Sequence, residues 1–179
     1  MAKKEAKNNK KSILMFARYV LLLILAFGNL FIFYKLFTPL TVKLSFFILS
    51  LIYPSATIVQ STITFSGTII SLIPACIAGS AYYLLVILNL TTPMGFKTRL
   101  KSLVFLILTF CLVNVLRIVV FSTLAPNRFQ YFNITHLLFW YVGSTILLVT
   151  IWFINVKIFK IKGIPVYSDI KHIISSIRK

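Results

Sequence analysis

The sequence predicts an all-α integral membrane protein: a helical bundle of four to five transmembrane helices with a small extracytoplasmic β-hairpin or interfacial element. Three observations predict it. The chain is 59% hydrophobic over 179 residues, with a mean hydropathy of +0.97, against roughly half apolar residues in a soluble domain. Several apolar runs are long enough to cross a hydrocarbon core of about 30 Å. Finally, 19 Lys and Arg stand against 2 Asp and Glu, and the basic residues gather in short segments between the apolar runs. A nucleic-acid-binding chain would carry them on a folded soluble face, so no nucleic-acid partner is expected and the basic segments are read as topology determinants.

Residues 1–11 form a basic tail with Lys3, Lys4, Lys7, Lys10 and Lys11, expected to be cytoplasmic and disordered. Residues 12–37 are nearly all apolar and predict a first span, too long for a signal-peptide core and without a small-residue cleavage site. Residues 38–53 lie between Pro39 and Pro54 and contain Lys43. They are short for a crossing and are expected to be interfacial or re-entrant, or else a short second span. In residues 55–73 the composition shifts to Thr, Ile and Val with near alternation up to Ser66 and Gly67, which predicts a hairpin-like element. Open strand edges are not tolerated in lipid, so this element belongs in water or at the interface.

Further spans are expected at about residues 74–92, 102–124 and 136–156. Pro74 suits a first helical turn and biases Ile73 towards an extended conformation. Residues 157–179 form a second basic tail. If both tails and the loop at residues 93–101 are cytoplasmic, they hold all basic residues except Lys35, Lys43, Arg117, Arg128 and Arg18, the last near the cytoplasmic end of the first span. Four crossings plus one outer element satisfy this rule.

Under that topology three reactive side chains fall at one depth near the outer face. Cys76 opens the second definite span, within the first turn of a helix, where unpaired N–H groups and the helix dipole favour a thiolate. Arg117 lies seven residues before the end of the third span, about 10 Å below it. His136 opens the fourth. An intramembrane arginine costs about 2.5 to 3.5 kcal/mol at a span centre, so it calls for a partner or a role. Asn114, three residues earlier on the same helical face, is placed to hold the guanidinium. Thiol, imidazole and guanidinium make an acyl-transfer site: nucleophile, acid/base and electrostatic stabiliser. Both carboxylates, Glu5 and Asp169, lie in the tails, so no acidic third member orients His136. There is no HExxH and no intramembrane carboxylate relay, which leaves a zinc protease or a proton-coupled carrier without its working groups. No metal or cofactor is expected, and Cys111 is assigned to packing.

With a strand-rich segment leading into Cys76 and Gly79, Asn114-x-x-Arg117 inside a span, and His136 at the head of the next, the chain resembles the exosortase/archaeosortase family of membrane transpeptidases over roughly residues 38–156. The resemblance implies that Cys76 is the nucleophile, Arg117 the stabilising cation and His136 the acid/base. It also implies substrates that are secreted proteins with a tripartite C-terminal sorting signal: a short motif, a transmembrane helix and a basic cluster. These would be cleaved at the outer face of the cell membrane and transferred through a thioester to a lipid or envelope acceptor. Where that family has Cys-Ser/Thr-Gly, this chain has Cys76-Ile77-Ala78-Gly79, with the glycine one place later. The competing reading is a non-enzymatic membrane protein, a lipid-binding or transport subunit in which Arg117 contacts headgroups.

Overall fold

The computed structural model describes residues 2–27, 30–125, 131–161 and 163. Its elements, in chain order, are α1 (Ala2–Ala26), α2 (Phe31–Ile52), β1 (Thr57–Val59), β2 (Thr62–Phe65), β3 (Thr68–Ser71), α3 (Pro74–Ile77), α4 (Gly79–Thr91), α5 (Phe96–Leu124), α6 (Phe132–Leu138), a π-helical turn (Phe139–Gly143) and α7 (Ser144–Ile158). Four helical stretches are long and apolar enough to cross a membrane: Phe31–Ile52, Pro74–Thr91, Phe96–Leu124 and Ile134–Ile158. This is the architecture of a multi-pass membrane protein, as the composition predicted.

The N-terminal third departs from the expected boundaries. The run at residues 12–37 is not one helix: α1 ends at Ala26 and α2 begins at Phe31, after Leu30 in a left-handed conformation (φ 60°). The segment expected as a separate interfacial or re-entrant element, 38–53, is the second half of α2, which continues through Pro39. Pro39 does not end the helix because a proline removes only one backbone donor, and in an apolar bundle the helix on both sides of it is held by packing. Residues 2–11 are also not a disordered tail but the first turns of α1. Ala, Lys and Glu are good helix formers, and an adjoining apolar helix supplies the nucleus that a short peptide lacks. The expected C-terminal tail beyond residue 163 lies outside the described residues.

The hairpin-like segment is a three-stranded antiparallel meander in the order β1-β2-β3. Thr57 faces Thr64 and Phe65 faces Thr68. The β2–β3 turn uses Ser66 and Gly67, both at positive φ (47° and 73°), the conformation that matches the twist of a tight hairpin. One face is buried through Ile63 and Phe65, and Tyr53 at the end of α2 stacks on Phe65 at 4.6 Å. The sheet therefore caps the end of the bundle at which α2 finishes.

The core runs along α2, α4 and α5. Phe37 stacks on Tyr82 at 3.7 Å, and Tyr82 meets Phe110 edge-on at 4.8 Å. Cys111 is buried in this core, in keeping with a packing role.

At the end opposite the sheet, polar groups tie the helices together. Arg99 donates from Nη1 to the carbonyls of Asn89 and Leu90 (2.8 and 2.7 Å) and from Nη2 to that of Thr92 (3.0 Å). Arg18 of α1 donates to the same Leu90 carbonyl at 2.9 Å. The Asn89 amide donates to the Ser102 hydroxyl, which donates to Asn155 Oδ1 of α7. Residues 18, 90, 99 and 155 therefore share one end of the bundle. Between Arg18 and Tyr53 the chain passes from that end to the sheet in two helices rather than one.

Candidate active site

The segment after the sheet begins with a single helical turn, α3, because Pro74 fixes the first φ and Ile73 is extended (ψ 165°). The helix does not continue as expected. Ala78 is left-handed (φ 58°), and α4 starts afresh at Gly79. Cys76 does lie within the first helical turn after Pro74, as expected, but that turn is not the head of one continuous helix, so the full dipole of a long helix is not behind it. Cys76 lies in an isolated turn, and its own N–H is already donated to the Ile73 carbonyl at 2.8 Å.

This interruption gives a physical account of the Cys76-Ile77-Ala78-Gly79 sequence. The residue at positive φ is Ala78, at a cost of about 1 to 2 kcal/mol for a non-glycine residue. The glycine is needed one place later for space: a Cβ at Gly79 would stand 2.8 Å from the Tyr34 ring of α2.

Asn114 is turned to a different task from the expected one. Its Nδ2 donates to the carbonyls of Cys76 (3.0 Å) and Ile77 (3.4 Å), so it fixes the turn that carries the thiol and does not hold the guanidinium. A buried amide in an apolar bundle takes the strongest unpaired acceptors within reach, and the end of a one-turn helix exposes such carbonyls.

Arg117 stands one turn further along α5. Its Nη1 donates to the Ser144 hydroxyl, which in turn donates to the Phe139 carbonyl at 3.1 Å. Ser144 was not singled out from the sequence. Its only signal there is the small, partly polar run Gly143-Ser144-Thr145 inside an otherwise apolar span. His136 sits on α6, exposed, with its ring edge-on to Phe121 of α5 at 5.2 Å.

Cys76, Arg117 and His136 line one cavity of about 50 Å³, together with Ile73, Ala75, Phe121, Phe139 and Trp140. Residues from α3, α5, α6 and the π-helical turn are thus brought together just below the level of the sheet. Cys76 is half-buried, neither sealed in the core nor on an open surface. Three of the cavity's lining residues, Phe121, Phe139 and Trp140, are aromatic, and apolar surroundings strengthen the field of a nearby charge. Among the described residues no group of three or more His, Cys, Asp or Glu could hold a metal ion. Compared with known protein families, curated proteins and solved structures, the chain finds no match.

Proposed function

We propose that this protein is a membrane-embedded cysteine transpeptidase or protease of the exosortase/archaeosortase type. The observation that supports the reading is the shared cavity: a thiol, an imidazole and a guanidinium, far apart in sequence, line one space of about 50 Å³. Each residue type has a distinct task there.

In the first half-reaction the Cys76 proton passes to His136, and Sγ attacks the scissile carbonyl carbon. The oxyanion that forms is stabilised by Arg117, a fixed positive charge in an apolar setting. The C–N bond then breaks, the leaving amine takes the proton from His136, and a thioester remains on Cys76. In the second half an acceptor amine or hydroxyl gives its proton to His136 and attacks the thioester carbonyl. Cys76 leaves as thiolate and recovers its proton. Asn114 keeps the α3 turn in place through both halves by holding the Cys76 and Ile77 carbonyls.

The substrates are secreted proteins with a C-terminal sorting signal, and the acceptor is a lipid or envelope component. The active site is extracytoplasmic in this reading. Support comes from charge placement: Arg18, Arg99 and the start of the basic segment after Asn155 share the end opposite the cavity, and the positive-inside rule makes that end cytoplasmic. A scissile bond beside a transmembrane helix lies at the outer interface, at the depth of the cavity.

The reading is tested by co-expressing a tripartite substrate with the wild-type protein or with Cys76→Ala. The variant should insert normally and leave the substrate at precursor size on a gel. Full conversion to the mature size by Cys76→Ala would refute the assignment.

A further inference from the structure

We infer that Ser144, with the π-helical turn before it, is a positioning residue that aims the Arg117 guanidinium at Cys76. The inference rests on the reading of Cys76 as nucleophile and Arg117 as its cation. Arg117 has a choice of places to be. Besides the cavity it shares with Cys76 and His136, it borders one of about 510 Å³ towards α4 and one of about 320 Å³ between α5 and α6–α7. A long, flexible cation beside open space goes where its hydrogen bonds send it, and swings towards headgroups if nothing holds it.

No carboxylate among the described residues holds it. The sequence has only Glu5 and Asp169, one in the first turns of α1 and the other outside the described residues. Among the described residues its hydrogen-bond partner is the Ser144 hydroxyl.

The backbone aims that hydroxyl. The Ser144 N–H donates to the Phe139 carbonyl, five residues back, and the hydroxyl proton goes to the same carbonyl. Only oxygen lone pairs are left for Arg117, so the hydroxyl can act there as acceptor alone. The extra residue in the π-turn also rotates the downstream helix by about 100° relative to a regular continuation. That rotation brings Ser144 onto the Arg117 face. Single-turn π insertions of this kind recur at functional sites.

The test reads charge at Cys76 and needs no substrate. In full-length protein in lipid nanodiscs, with Cys111→Ala leaving Cys76 as the sole thiol, the rates of modification by an anionic and a cationic methanethiosulfonate are compared. The ratio cancels thiol ionisation and reports the local potential. Arg117→Leu should lower the anionic preference about tenfold, since a focused cleft charge raises counter-ion encounter by that order or more. Ser144→Ala should lower it by about threefold, and Ser144→Thr, which keeps the hydroxyl, should stay within about twofold of the parent. In an Arg117→Leu background, Ser144→Ala should have no further effect, because it acts only through the arginine. An unchanged ratio in Ser144→Ala, an equal fall in the Arg117→Leu background, or an Arg117→Leu ratio equal to the parent would each overturn the inference. If instead Cys76→Ala still processes substrate while the ratios behave as stated, the transpeptidase reading fails and the positioning geometry stands.

Discussion

Two arginines on α5, Arg99 and Arg117, are eighteen residues apart, about 27 Å along the helix, close to the thickness of a hydrocarbon core. Arg99 is tied to the fold: three carbonyls at the turn between α4 and α5 accept from it. Arg117 has one neutral hydroxyl and three cavities around it. The first is an arginine spent on structure, closing the orphan carbonyls at the end of α4. The second is kept available, and a chain with two carboxylates in total has left it no counter-ion among the described residues of the bundle. The difference separates a charge that holds the fold from a charge left facing open space, which the proposed function assigns to the reaction.

Replacing each arginine by leucine would break the comparison if the two behaved alike. Arg117→Leu should cut substrate processing by about 10²- to 10³-fold, the scale of losing a main transition-state charge partner. Thermal unfolding in detergent should show no loss of stability, since an isolated intramembrane cation is itself costly. Arg99→Leu should do the reverse. Three charge-assisted bonds are lost, and stability should fall by about 3 kcal/mol or more, while processing per folded molecule stays close to wild type.

Smaller effects sharpen the same division around the thiol. Gly79→Ala should destabilise by about 1 to 3 kcal/mol, because the new methyl meets the Tyr34 ring and α4 must shift. Ala78→Gly should stabilise by about 1 kcal/mol by relieving the left-handed alanine, measured as a rise in unfolding midpoint with little change in processing. A fall in the midpoint of Ala78→Gly would show that the positive φ is not a strained state.

The apolar spans were legible because hydropathy is a sum over many residues, and composition carries it without tertiary information. Boundaries were less so. The run from residue 12 to 37 is apolar throughout in average terms, and averaging passes over Gly28-Asn29, a pair of turn-forming residue types beside the break at Leu30. The interruption at Ala78 was not readable, since alanine has no preference for positive φ and is forced there by how α3 and α4 pack. Cys76, Arg117 and His136 were visible as polar atoms in apolar surroundings. Their common cavity, and the use of Asn114 on carbonyls instead of on Arg117, depend on which helix faces meet. Ser144 was hidden for the same reason: a serine in a span carries no signal until a π-turn rotates it onto an arginine.

The most direct test of the central claim is mass spectrometry of the Cys76-containing peptide after brief exposure of the protein, in nanodiscs, to a tripartite substrate. The account predicts an adduct on Cys76 that carries the new C-terminus of the substrate and is released by hydroxylamine. It should be absent from Cys76→Ala, and it should form more slowly, by about 10²-fold, in His136→Ala. Substrate cleavage at the normal rate by Cys76→Ala, with no thioester on Cys76 in the wild type, would contradict it.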